Sequence, residues 1–481
     1  MQGQRMKPAK TSHTTKEIML PSFSDQRPPH GTGIHLVPYT PVVPQRVEQL
    51  GDTQALIETS AMNANTSPII PNRQQSIREA VLLIFCDPLP AQCSRLQNLS
   101  DREWRKLLTW LDISGLALYL LDRVTELDMC ALLPPRVLAR LQRNLSENTK
   151  RTHGMIAESV GIQQDFQRAN LSYATLKGFS LYPYSVPKPE MRHQFDMDFL
   201  VAEKSISEAR QILERRGYRL SAISGRSWEF KKNEIPGIPL KDLYKNLSSW
   251  SLELHVETNT PGHASLLDRI EKRDFYGIDM PVLSPVDLFL GQGLHAYKHI
   301  CSEFSRTAHL VEFRRHVLIR QDDDAFWEEL RSTARDNPRA YIGLGVVTLL
   351  ITHIMGDFAP KGLTSWTVER LPESARLWVE MYGRRVVLGS FPGSKLYLLL
   401  QRDLESAGVP AKRSLRQSLL PSRLPPAVIQ ASTNEPLSVQ IRRYRIQLNH
   451  IFSRLRFHIM EGLRFPWESY RWRQHMNRIT Q

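Results

Sequence analysis

The stretch QFDMDFL, residues 194–200, constrains this chain more than any other. Two carboxylates, Asp196 and Asp198, alternate with Phe195, Met197 and Phe199, and Leu200 and Val201 follow. Side chains on a strand project to opposite faces in turn. Asp196 and Asp198 therefore share one face, while Phe195, Met197 and Phe199 point into a core. Adjacent carboxylates repel unless positive charge lies between them. A divalent cation supplies that charge, and Mg²⁺ takes hard oxygen ligands from one or two carboxylates, phosphates and water. The pattern reads as a platform for a metal-bound nucleotide. The plainer reading is a solvated strand face.

Three neighbours favour the platform. Upstream, LKGFS (176–180) ends a short strand at Gly178. A tight turn there presents backbone N–H groups to a phosphate, with Ser180 close by and Lys177 adding charge. Arg192, four residues before Asp196, also suits a phosphate. The alternating run WSLELHVET (250–258) is a second strand, with Glu253, His255 and Glu257 on its polar face. Glu253 would complete a two-metal site or serve as base for an attacking hydroxyl. Bland roles stand beside these. The Lys177 stem can cover apolar surface, Arg192 can pair with an aspartate, and His255 can orient a carboxylate.

The frame around these strands reads as helical. The chain has 481 residues, of which 41% are hydrophobic, enough for a core and for more than one domain. Residues 1–75 are rich in Pro, Ser, Thr, Gln and Asn and read as disordered. Residues 76–170 read as an N-terminal helical region in which Asp101 caps the second helix and ISGLALYLLDRV continues as helix. Residues 171–283 form an α/β core, including a helix from Ser205 to a stop at Gly217. Residues 284–405 are helical again. Within them Ala340–Met355 is apolar but short for a membrane span, so it reads as a buried helix. Four scattered cysteines lack metal-type spacing and fit reduced thiols in the cytoplasm. The start has no apolar run suited to a secretory leader.

Taken in order, these pieces resemble the uncharacterised nucleotidyltransferase family of the polymerase-β-like nucleotidyltransferase superfamily. The matching pieces are Leu176-Lys177-Gly178, Arg192, Asp196-Met197-Asp198-Phe199-Leu200-Val201, Gly217-Tyr218-Arg219, Glu253-Leu254-His255 and His295-Ala296-Tyr297-Lys298-His299. The resemblance covers roughly residues 77–400. Here Phe179 separates Gly178 from Ser180, and Glu253 stands where relatives often carry aspartate. The resemblance implies an α+β fold, a small mixed-sheet nucleotidyltransferase core embedded in a largely helical frame. It implies a Mg²⁺- or Mn²⁺-dependent enzyme moving a nucleoside monophosphate from an NTP such as ATP to an acceptor, with pyrophosphate leaving. Asp196, Asp198 and Glu253 would hold metal, and Lys177, Gly178, Ser180 and Arg192 would meet the phosphates. The acceptor is open: a small molecule, a sugar, a protein or an RNA end. The alternatives are a non-catalytic nucleotide- or partner-binding module on the same scaffold, and an accessory protein working through its tail.

Two further features stand apart. His295 and His299 lie four apart on one helix face, a zinc-compatible spacing without the glutamate of H-E-x-x-H. They read as a structural pair closing the helical region over the α/β block, with Glu312 as a partner. Residues 406–481 carry 13 Lys and Arg against 3 acidic residues, a large share of the net +14. They read as a basic linker (419–436) and an amphipathic helix combining arginines with Phe452, Phe457, Trp467, Tyr470 and Trp472. That composition fits nucleic acid, an anionic membrane surface that would make the protein peripheral, or a helix docked on the body.

Overall fold

The computed structural model describes residues 72–232, 243–245, 250–258, 265–335, 337–406, 414–419 and 437–479. The disorder expected for 1–75 falls almost wholly outside them, as does the linker expected at 419–436, of which only Leu419, the last residue of a short helical turn (Leu415–Leu419), is described.

Four helices open the described chain: α1 (Arg73–Leu83), α2 (Asp101–Ser114), α3 (Ala117–Glu126) and α4 (Pro135–Arg168). α1 begins before the expected Ser76 because Asn72 and Gln75 form a reciprocal capping box. α2 is capped by Ser100 with Glu103, which displaces Asp101 from the role read in the sequence. The helix expected through 113–124 is broken at Gly115, whose φ of +79° ends α2 before α3 begins. α4 starts on Pro135, whose fixed φ suits a first turn.

The sheet has seven strands: β1 (Tyr173–Leu176), β2 (Asp196–Ala202), β3 (Arg219–Ser224), β4 (Ser227–Lys231), β5 (Ser251–Glu257), β6 (Glu271–Phe275) and β7 (Ile278–Val282). Their order is β3-β4-β5-β2-β1-β7-β6. β2 sits centrally, antiparallel to β1 and parallel to β5. The β6–β7 hairpin extends the sheet beyond the strands read in the sequence. Its loop is Tyr276-Gly277, both at positive φ, as a tight two-residue hairpin turn requires.

One face of the sheet buries Met197, Phe199, Val201, Leu252 and Leu254 against Ile162 and Phe166 of α4. Ile212 and Leu213 of α5 (Ile206–Arg215) join this layer. Ser205 precedes α5 without the side-chain cap expected of it, while Gly217 stops the helix at φ +86°. The second face carries Leu200 against Leu283 and Leu288 at one end, leaving the carboxylates at the other.

The rest of the frame comprises α6 (Pro285–Ile300), α7 (Ala308–Ile319), α8 (Asp324–Ala334), α9 (Pro338–Met355), α10 (Tyr397–Ser406) and α11 (Leu437–Ile479), with short helical turns between α9 and α10. α9 is long and apolar enough to cross a membrane by length and composition, yet 67% of it is buried inside the fold. Ile342, Leu344, Val346 and Leu350 pack into the helical core. The α+β class, a mixed sheet in a largely helical frame, is the architecture observed.

Candidate active site

Strand register builds the site. Asp198 on β2 lies opposite Glu253 on β5 and Leu176 on β1. Opposed residues share a face, so Asp196, Asp198, Glu253 and His255 project together. Asp198 is buried, and its Oδ1 accepts from Lys177 Nζ at 2.6 Å and from His255 Nε2 at 2.8 Å. His255 Nε2 also lies 3.3 Å from Glu253 Oε2, and Ser227 Oγ donates to the same Glu253 oxygen at 3.2 Å. Asp198, Glu253 and His255 hold their ligand atoms within 4.8 Å of one another. Asp196 is half-buried, and among the described residues its carboxylate accepts no side-chain hydrogen bond.

These environments separate the two aspartates. Burial pushes the Asp196 carboxyl up, the neighbouring Asp198 charge adds to this, and Arg192 and Lys177 only partly oppose it. Burial would also raise Asp198, but the His255 hydrogen bond and the Lys177 ammonium outweigh it and hold that carboxyl below its usual range. The His255 hydrogen bond likewise lowers Glu253. A positive charge does lie against the pair, supplied here by Lys177.

The phosphate-turn residues divide. Lys177 and Gly178 both take positive φ, +48° and +40°. For lysine this is strained backbone, of a kind that costs of order 1–3 kcal/mol and clusters at functional sites. The positive φ is what favours glycine at 178, and a Cβ there would also approach Gln194 Oε1 to 3.1 Å. Gly178, Asp196 and Asp198 border one narrow cleft, whose lining also takes in Ser159, Thr175, Met197 and Phe199 from the side packed against α4 and does not include Glu253. Ser180, expected at the phosphate, points inward. It is fully buried, and its hydroxyl donates to the Lys177 carbonyl at 2.8 Å, holding the strained turn. Arg192, also expected at phosphate, is engaged elsewhere: Nε meets Glu312 Oε1 at 3.1 Å and NH1 donates to Gln194 Oε1 at 2.9 Å. It reaches Asp196 only through space, as charge.

Glu312 does partner a histidine, but that histidine is His309 on its own helix, with Nδ1 3.2 Å from Oε2. Tyr119 Oη donates to the other oxygen at 2.8 Å. The three-residue spacing of His309 and Glu312 on α7 was the available signal, since residues three apart share a helix face. Glu257 turns from the carboxylate cluster to accept from Ser265 Oγ at 2.7 Å and Leu266 N at 2.6 Å. In the tail, Phe457 and Trp472 are buried against the body, whereas Phe452, Trp467 and Tyr470 are exposed.

The donor set is hard: three carboxylates on one sheet face beside a glycine turn, which fits Mg²⁺ or Mn²⁺ better than a thiophilic ion. No curated protein matches the chain. Residues 100–341, from α2 to the start of α9, match the model of a family described as an uncharacterised nucleotidyltransferase. That span contains β1, β2 and β5 with Asp196, Asp198 and Glu253, and the chain belongs to this uncharacterised nucleotidyltransferase family.

Proposed function

We propose that the protein is a Mg²⁺-dependent nucleotidyltransferase that moves a nucleoside monophosphate from an NTP to an acceptor nucleophile, releasing pyrophosphate. The observation that carries this reading is the register pairing of Asp198 with Glu253, with Asp196 on the same face. Asp196, Asp198 and Glu253 would hold the metal, whose charge would offset that building on the transferred phosphoryl group. Lys177, whose ammonium holds Asp198 at 2.6 Å, would be free to meet the phosphates where a cation offsets that carboxylate instead. The Gly178 turn offers backbone N–H groups to the same phosphates. Ser180 keeps that turn in shape, and Arg192 sets the charge around Asp196. Glu253, the more exposed carboxylate, would bind a second metal or accept the proton of the attacking group.

Calorimetric titration of the full chain with a non-hydrolysable ATP analogue tests the reading. Affinity should be far higher in Mg²⁺ than in EDTA, and Asp198→Asn should remove the difference. Equal affinity in both buffers would overturn the metal reading and leave the non-catalytic binding module.

We also propose that α11 seats the protein on an anionic membrane surface, at the cytoplasmic side. Leu437, Ile441, Tyr444, Leu448, Phe452, Leu455, Ile459, Leu463, Trp467 and Tyr470 recur every three or four residues, and each is more than half exposed. They form one apolar stripe along the helix. Nine arginines and no lysine share the helix, and Arg442, Arg445, Arg456, Arg464 and Arg473 are exposed. An apolar stripe beside arginines suits the boundary between acyl chains and anionic headgroups better than an RNA groove. The opposite side holds the body through Trp472 Nε1 to Asp403 at 2.8 Å and Arg385 to Glu468 at 2.7 Å.

A further inference from the structure

Beside the carboxylate cleft the helical frame gathers a second group of ligand-type side chains. His295 and His299 project from one face of α6, and His309 meets them from α7. Their ring centroids lie 4.7, 4.8 and 4.5 Å apart, and one nitrogen from each lies within 4.8 Å of the others. His309 is 5% exposed. Its Nδ1 faces the Glu312 carboxylate at 3.2 Å, which fixes the N–H on that side and leaves a lone pair on Nε2. That Nε2 is buried and has no hydrogen-bond partner among the described residues. A buried acceptor without a partner is a deficit the fold should fill.

We propose that His295, His299 and His309 form a Zn²⁺ site in which Glu312 orients His309. Three imidazole nitrogens suit zinc, and three protein ligands leave its fourth position open to water or another donor. A carboxylate accepting from the far nitrogen of a ligating histidine is the usual outer partner of such a site. At zinc–nitrogen distances of about 2.0–2.1 Å, tetrahedral nitrogens sit roughly 3.3 Å apart, so each ring closes inward by about an ångström. The rings are in the form that ligates. Burial, His309 and the cations Arg306, Lys298 and Arg192 hold His299 down to about 3, and burial, the two other histidines, Lys177 and Arg192 push His295 down too. Burial also lowers His309, although Glu312 opposes it. The same cations oppose a dication, and Glu312 is the carboxylate that answers them. Its other oxygen binds Arg192, whose charge acts on Asp196. Zinc binding and the charge beside the carboxylate cleft therefore share one carboxylate.

The test uses the tag-free full chain, stripped of metal and titrated with ZnCl₂, with bound metal counted by mass spectrometry. Wild type and Asp198→Asn should each take up one equivalent, and Co²⁺ in its place should give the absorption of a tetrahedral nitrogen site. His299→Ala, a partly buried position, and His309→Gln should each lose stoichiometric uptake while circular dichroism stays unchanged. Glu312→Gln should weaken binding roughly 10–100-fold. Folded wild type that takes up no zinc would overturn the proposal, as would uptake that survives both histidine substitutions. Uptake lost in Asp198→Asn would move the ion to the carboxylate cleft and overturn it equally. Saturable binding of inorganic phosphate without zinc, abolished by His299→Ala, would replace the metal site with an anion pocket. None of these readouts depends on nucleotidyl transfer, so the two proposals fail separately.

Discussion

His255 stands between two carboxylates, and its protonation sets how tightly a cation can join them. Burial disfavours its charge, but the hydrogen bonds to Asp198 and Glu253 prevail and raise its pKa above 6.5. A histidine with a raised folded pKa stabilises the fold fully below the unfolded value, and that contribution fades as pH rises through the folded value. Cation binding carries the opposite sign. The protonated ring occupies Asp198 Oδ1, so metal affinity should climb as pH passes upward through the same window. Mg²⁺-dependent nucleotide affinity, followed from about pH 6 to about pH 8.5, should therefore rise, and His255→Gln should flatten the profile. A wild-type profile without slope would remove His255 from the metal site. The three carboxylates were legible in the sequence because a period of two is local: knowing the strands gives the faces. The direction of Ser180 was not, because it depends on positive φ at Lys177, a conformation that residue type argues against. Arg192 escaped for another reason, since its partner Glu312 lies 120 residues further on.

At the scale of elements, α11 is both a packed helix and an exposed one. From its middle onward it buries Phe457, Phe465 and Trp472, so cutting it away would uncover apolar surface of the body. Single substitutions on the outer stripe avoid that problem. Leu448→Asp with Leu463→Asp should abolish co-sedimentation with vesicles containing phosphatidylserine and leave the melting temperature within a degree or two. Added salt should weaken the wild-type contact, since each arginine near an anionic surface contributes about 1 kcal/mol. Vesicle binding that survives both substitutions would sink the membrane reading. A concentration-dependent dimer lost in the same variant would assign the stripe to a second copy of the chain, and RNA binding lost with it would assign it to nucleic acid. The helix itself was plain from its periodicity, and so were β2 and β5. The β6–β7 hairpin was harder to read. Its tight turn places tyrosine at positive φ, where asparagine or aspartate would have announced it. The ends of α1 and α2 shifted for a related reason, because reciprocal capping by Gln75 and Glu103 outweighs a single candidate cap.

At the scale of the whole molecule, one buried carboxylate ties three parts of the chain. Glu312 on α7 is 2% exposed and meets Tyr119 from α3, Arg192 from the segment leading into β2, and His309 from its own helix. Burial opposes its charge, but Arg192, then the His309 hydrogen bond, hold it ionised well below the usual range. Arg192 is largely enclosed, its side chain 11% exposed. Removing one member of such a pair leaves the other charged and without its partner in the interior, and losses of about 3–5 kcal/mol follow. Glu312→Leu should therefore lower the urea midpoint strongly, and Arg192→Leu should do the same. The double variant replaces both charges with apolar volume and should recover much of the loss, because desolvation of the pair largely offsets its attraction. Its Mg²⁺-dependent nucleotide affinity should nevertheless change, since the charge beside Asp196 is gone. Two single losses that simply add in the double variant would mean that the residues stabilise the fold independently, and that the helical frame and the sheet are joined by something other than this carboxylate.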